Sequence, residues 1–288
     1  MADERPENQG TRLIIWGCRG SIPVSGTSYA RHGGHTTCYE FDLPTARIIV
    51  DAGSGFSALG QSWHDDSRPT LLLLSHLHWD HIMGFAMFPP FYASPQPFAV
   101  WGALREGEPV AESLLRLNEP PYWPFKMRER IRTPVVSRVL RPSGRDRFGG
   151  IEIRWTEVAH PGGCSAFGFD IDGVRVVFSG DVEYAKTNQQ EFRAFCRGVD
   201  LLIMDAQYTD EEYADHIGWG HSTHTEAARL AAEESIGTLL LTHHDPEHED
   251  DVIDAMVAEA RTIFPRTAAA AERQEIPLDN REGVPLPN

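Results

Sequence analysis

Basic charge is what this 288-residue sequence lacks most: 26 Lys and Arg stand against 42 Asp and Glu, a formal net charge of −16. A protein that tracks nucleic acid by bulk electrostatics needs the opposite balance. The deficit does not exclude an anionic substrate, because bound divalent cations reverse the field inside a site. Eight of the basic residues fall between Lys126 and Arg147, against Glu129 and Asp146 alone, a stretch that reads as solvated surface. Cysteine is scarce as well. Cys18, Cys38, Cys164 and Cys196 lie far apart with no CxxC pair, which excludes a disulfide-built scaffold and fits reduced thiols in a cytoplasmic protein. No run approaches the roughly 20 apolar residues of a membrane span. The N-terminal MADERPENQG has no apolar stretch behind a basic flank, so no export signal is expected. A serine hydrolase is disfavoured, because GGCSAFG places Phe167 where a GxSxG motif needs its last glycine.

Repeats and Gly/Ser linkers are also missing, so one domain is expected over residues 11–265, with 1–10 and 266–288 as loose tails. Apolar runs of four to eight residues bounded by Gly, Pro, Asp and Ser predict strands at Arg12–Trp16, Thr37–Asp42, Arg47–Asp51, Thr70–Ser75, Ile151–Val158, Ala166–Ile171, Val174–Ser179, Leu201–Asp205 and Thr238–Thr242. Helices are expected at Thr223–Glu234, opened by a Thr223/Glu226 capping box, and at Asp251–Phe264, where Ile253, Met256, Val257, Ala260 and Phe264 share a face. Strands arrive in clusters before each helix. That fits two packed sheets with helices outside better than a doubly wound parallel sheet. Residues 85–145, rich in Pro and aromatics, read as an insertion that serves as lid or substrate wall.

The most informative segment is Thr70–His81, TLLLLSHLHWDH. An apolar strand runs straight into His76, His78, Asp80 and His81. In extended chain, residues two apart point to the same side, so His76 and His78 can grip one cation together. Asp80 and His81 follow where the chain turns into a helix and can face a second. Three His and one Asp within six residues at a strand end are poorly explained as packing, since ionisable groups are rarely buried without partners. Trp79 is expected in the core. Asp51, after the strand of IIVDAGSG, is expected to hydrogen-bond the metal-site loops. His32, His35 and His224 are weaker candidates for lining the cleft.

His76-Leu77-His78-Trp79-Asp80-His81 matches the HxHxDH motif, and the sequence resembles the metallo-β-lactamase superfamily over almost its whole length. The resemblance implies a four-layer αβ/βα sandwich, an α/β fold of two mixed sheets with flanking helices. It also implies two divalent metal ions, with His160 in EVAHPGG completing the first site, Asp181 in VVFSGD bridging, and His243 in LLLTHHDP completing the second; His244 is a competitor for that last role. An all nitrogen and oxygen ligand set suits Zn²⁺, with Mn²⁺ or Fe as alternatives.

The carboxylate at Asp181 resembles the phosphodiesterase and thioesterase branches more than the β-lactam hydrolases, and an oxygen-reducing diiron member would carry Glu in place of His78. LIMDAQ and HST are similar to the segments of ribonuclease Z that supply a carboxylate–imidazole pair, which falls here on Asp205 and His221. Met204 and Gln207 depart from that family's His and Thr. GCRGSIPVSG and RHGGHTTC resemble its cyclic-phosphodiesterase-like relatives, in which Asn usually stands where His35 is. The resemblance thus implies hydrolysis of a small, nucleotide-like phosphodiester: water held near Asp80 attacks phosphorus, and His221, oriented by Asp205, protonates the leaving oxygen. Folded tRNA is not expected as a substrate, because no Gly/Lys-rich arm is present; a homodimer is compatible with the sequence. The alternatives are a thioesterase or lactonase of the glyoxalase II type, and a signalling module that binds a nucleotide without turning it over.

Overall fold

The computed structural model describes residues 10–64, 67–278 and 284. The first sheet takes β1 (Arg12–Gly17), β2 (Cys38–Asp42), β3 (Arg47–Val50), β4 (Thr70–Leu74), β5 (Phe98–Arg105), β6 (Glu108–Pro109) and β7 (Val135–Leu140). The second takes β8 (Ser143–Phe148), β9 (Ile151–Val158), β10 (Cys164–Ile171), β11 (Val174–Phe178), β12 (Leu201–Asp205), β13 (Thr238–Thr242) and β14 (Thr267–Ala269). A last strand, β15 (Glu275–Pro277), returns to the first sheet beside β1. Both sheets are mixed: β1 to β3 and β8 to β11 pair antiparallel, whereas β3 to β5 and β11 to β14 pair parallel.

Why four layers form is visible in β4. Leu71 and Leu73 point inward, where they join Ile15, Phe41, Phe167, Phe169 and Ile203 in the core between the sheets. Leu72 and Leu74 point outward and pack under the helix α1 (Ser54–Gln61) with Phe56, Phe85 and Phe88. A strand covered on both faces must be apolar at every position, which is what TLLLL supplies. The second sheet is covered in the same way by α5 (Gln189–Cys196), α7 (His224–Glu233) and α8 (Asp250–Ile263), whose Phe192, Ala227, Leu230 and Ile253 pack on Leu202, Met204 and Leu241. The shorter helices are α2 (Trp79–Ile82), α3 (Pro90–Ala93), α4 (Val110–Leu117) and α6 (Asp210–Tyr213). The layers are those of the metallo-β-lactamase sandwich. Among the described residues no helix is long and apolar enough to cross a membrane.

Two expectations are corrected. Residues 85–145 are not a separate insertion throughout, because β5 and β7 inside them extend the first sheet in parallel with β4. The run FAVWGALR carries enough apolar residues to bury both faces of β5, while Phe85, Phe88, Phe91 and Phe98 form one aromatic cluster with Phe56, through stacked, tilted and edge-on contacts. Residues 267–277 are likewise no tail, since β14 and β15 close one edge of each sheet. Residues 1–9, 279–283 and 285–288 of the expected tails lie outside the described residues.

Candidate metal centre

The parallel strands β3, β4, β11, β12 and β13 all end at one edge of the sandwich, and β9, antiparallel to β10, runs the same way as β11. Their carboxyl ends carry Asp51, His76, Asp181, Asp205, His243 and His160 respectively, within three residues of the last strand residue in every case. The short helix α2 starts immediately beyond β4 and supplies Asp80 and His81, with His78 at its N-cap.

Seven of these side chains form two adjoining groups, and Asp205, His221 and His243 form a third that overlaps the second. In the first, donor atoms of His76, His78, His160 and Asp181 all lie within 4.8 Å of one another; in the second, those of Asp80, His81, Asp181 and His243 do. His160 Nε2 is 3.0 Å from His78 Nδ1, and His81 Nε2 is 3.3 Å from His243 Nε2. Asp181 belongs to both: its Oδ1 is 3.2 Å from His81 Nε2, and its Oδ2 is 3.5 Å from His76 Nε2 and 3.3 Å from His243 Nε2. His76 Nε2 is buried without a hydrogen-bond partner. An orphaned buried imidazole nitrogen, surrounded by nitrogen and carboxylate donors, is the environment that a divalent cation satisfies.

The distal ring nitrogens of His76, His81, His160 and His243 are held from outside. Asp51 Oδ2 lies 2.8 Å from His81 Nδ1, and the same carboxylate accepts from the Ser75 N–H and hydroxyl. Ser75 Oγ in turn lies 3.0 Å from His76 Nδ1. The Gly220 carbonyl, 2.8 Å away, accepts from His160 Nδ1, and the Gln207 side-chain oxygen, 2.9 Å away, accepts from His243 Nδ1. Such outer partners fix the tautomer that leaves the inner nitrogen free to bind. Asp80 Oδ2 accepts from the Ser21 N–H at 2.7 Å. Asp51 and His243 both sit at positive φ, 62° and 60°, so the chain bends sharply where each strand hands over its side chain. Two glycines permit the close packing: a Cβ on Gly20 would lie 2.4 Å from the His243 ring, and one on Gly220 would lie 2.3 Å from His160 Nδ1.

Electrostatics divide the groups. Burial pushes the pKa of His76 well below its ordinary value and that of His160 down to about 4, and burial also lowers His78. In the second group burial acts in the same direction on His81 and His243, but the carboxylates outweigh it. Asp181, Asp80 and Asp51 hold His81 well above the usual value, and Asp181, Asp80 and Asp205 hold His243 at about 9. Asp80 and Asp181 are correspondingly held low against their own burial, by the facing histidines.

Beside the second group, His221 stacks on His243 with ring centroids 4.8 Å apart. Its Nδ1 is 2.8 Å from Asp205 Oδ2, and Asp205 also accepts from the Val182 and Gln207 N–H groups. His243, not His244, enters the cluster; His244 turns inward and its Nε2 donates to the Ala270 carbonyl. His32 and His224 are bound up elsewhere, with Asp254 and Glu259, and His35 lies beside Ser54 and Glu272. Trp79 is a correction: it is 59% exposed, because the next three residues of its single-turn helix all take the buried side. Sequence reasoning missed Ser75, Gly220 and the Gln207 side chain as partners of the histidines. It also missed Glu183, which accepts from the Gly218 and Gly220 N–H groups and so holds the loop that reaches His160.

The metallo-β-lactamase fold protein YhfI of Bacillus subtilis is 26% identical over 257 residues, which cover 88% of this chain and 93% of that protein. Its crystal structure superposes with a TM-score of 0.72 over 93% of this chain and 99% of the other, at 23% identity. Ribonuclease Z of Ignicoccus hospitalis is 25% identical over 305 aligned positions, covering 92% and 97% of the two chains. A diphosphatase from the PhnP family shares the fold at 14% identity, with a TM-score of 0.67 over 96% and 100% of the chains. The family model for the β-lactamase superfamily domain matches residues 46–244, a span that runs from the start of β3 through His243 and holds both donor groups. With that match and the HxHxDH turn at its centre, the chain belongs to the metallo-β-lactamase superfamily of hydrolases.

Proposed function

We propose that this chain is a dinuclear metal-dependent phosphodiesterase for small, nucleotide-like phosphodiesters. His76, His78, His160 and Asp181 would hold one divalent ion, with Zn²⁺ the best chemical match, and Asp80, His81, Asp181 and His243 the other. Ions bound there supply Lewis acidity, lowering the pKa of water and offsetting charge on a phosphoryl group. The rest falls to the protein. Asp80, fixed by the Ser21 N–H, offers its carboxylate to orient the attacking water. Asp205, receiving three N–H donors, places the proton of His221 on Nδ1 when the ring is neutral. The second proton of the cationic ring then sits on Nε2, where it can pass to the leaving oxygen.

The observation that carries the reading is the Asp205–His221 contact of 2.8 Å beside the His243 ring. A leaving alkoxide needs a proton, and all seven expected ligands are already committed to the two groups. Names among the relatives, a ribonuclease Z and a diphosphatase, lean towards phosphate-ester chemistry. The metal-reconstituted protein is expected to hydrolyse bis-(p-nitrophenyl) phosphate and to leave β-lactams intact. A thioester or lactone turned over orders of magnitude faster than every phosphodiester would replace this reading with the thioesterase one.

A further inference from the structure

Next to the first donor group lies a cavity of about 500 Å³, within the range of small-ligand sites. His76, Leu77 and His78 form one wall, the Pro161–Gly163 turn another, and the β5–β6 hairpin with α4 the third. The hairpin pairs Leu104 with Pro109 and Arg105 with Glu108, leaving Glu106-Gly107 as a two-residue turn. Both turn residues have positive φ, 49° and 79°. Such a turn favours Asn, Asp or Gly at its first position, and Glu gains nothing there conformationally. Its carboxylate makes no hydrogen bond or ion pair among the described residues, and it lines the cavity.

The rest of the lining points to the ligand's chemistry. Arg105 is anchored through Nη1 to Glu157 and through Nη2 to the Ser75 carbonyl, and its buried Nε has no partner. Arg116 is neutralised by Glu108, which also accepts from Ser113. Each arginine is thus balanced by a glutamate, Arg105 by Glu157 behind the cavity wall and Arg116 by Glu108 within it, which disfavours a second anionic group. An unpaired carboxylate at the mouth instead accepts hydrogens from hydroxyl groups, while Leu77, Leu117 and Pro161 offer apolar surface.

The geometry points to this cavity as a nucleoside pocket, with Glu106 accepting from ribose hydroxyls and the apolar residues facing the base. The inference rests on the phosphodiester reading for why a nucleoside is delivered there, but its test reads binding alone. Isothermal calorimetry on the zinc-reconstituted chain compares adenosine with 2′,3′-dideoxyadenosine, which lacks the hydroxyls. Wild type is expected to prefer adenosine by about tenfold or more, as befits loss of a hydrogen bond to a charged group, roughly 1.5–3 kcal/mol. Glu106→Ala abolishes that preference by weakening adenosine, while Glu129→Gln, on exposed surface, keeps it. Equal binding of both nucleosides by wild type, or an undiminished preference in Glu106→Ala, overturns the pocket assignment. Hydrolysis of bis-(p-nitrophenyl) phosphate by wild type is measured separately, so either idea can fail without the other.

Discussion

The two donor groups share one carboxylate yet differ in how they hold protons. The His76 group is governed by burial, which keeps its imidazoles uncharged and its nitrogens open. The His81 group is governed by carboxylates, Asp181, Asp80 and Asp51 at His81 and Asp181, Asp80 and Asp205 at His243, which favour protons on both rings when no cation is present. One side is thus preorganised for a cation as it stands, and the other must give up protons to accept one. The outer partners follow that division only in part: neutral groups, Ser75 and a backbone carbonyl, stand behind His76 and His160 and a carboxylate behind His81, but a neutral amide, Gln207, stands behind His243.

The largest effect is expected where the groups meet. Asp181→Asn should empty both and bring hydrolysis to background; elemental analysis showing one ion retained in full would break the symmetry assumed for that carboxylate. His221→Ala comes next. General acid catalysis typically supplies about 10²–10⁴-fold, so turnover of unactivated diesters should fall by that factor, and that of p-nitrophenyl esters by less. Metal content should stay at the wild-type level; loss of an ion would move His221 into the second donor group, whose His243 it touches.

A smaller effect separates the groups directly. Asp51→Asn should weaken metal binding by roughly 10–100-fold, the usual consequence of losing an outer partner. The loss should be larger for the His81 ion, which Asp51 backs directly, than for the His76 ion, which it reaches through Ser75, as read by competition with a chromogenic chelator; equal weakening of both would erase the proposed distinction. The smallest effect concerns the metal-free chain. His160, depressed to about 4, binds fewer protons folded than unfolded up to the ordinary value near 6.5, so stability rises with pH across that window. His243, raised to about 9, binds more protons folded than unfolded above 6.5, so stability falls between there and 9. Urea midpoints of chelator-treated protein should therefore peak near pH 6.5 and flatten once metal is restored. A midpoint still climbing at pH 8 would contradict the protonated state of the second group.

What could be read from the sequence was whatever depends on near neighbours. Leu201–Asp205 and Thr238–Thr242 match from end to end because buried strands announce themselves as apolar runs, and Ile151–Val158 matches through its spaced apolar residues. The Thr223/Glu226 capping box is present with both of its hydrogen bonds. HxHxDH compresses four of the seven donor residues into six positions. β8 stayed hidden because SGRDRF is an edge strand that faces solvent and carries almost no apolar signal, and β14 and β15 are three residues each. The partners of the histidines were illegible for another reason. Gln207 and Gly220 reach His243 and His160 across 36 and 60 residues, a proximity made by the meeting of strand ends and marked by no spacing in the chain.

Asp181 offers one oxygen to His81 and the other to His76 and His243, and this shared reach has a thermodynamic corollary. On the two-ion proposal, whatever a first cation did to that carboxylate, by drawing its charge or fixing its rotamer, would alter the free energy of admitting a second. Linkage makes the alteration reciprocal: the coupling that one occupant exerts on the other is returned in equal measure. The wild-type chain should therefore load along a binding curve that two independent sites cannot fit. On that proposal, the half-loaded protein would be a species with its own affinity, its own proton count and its own lifetime.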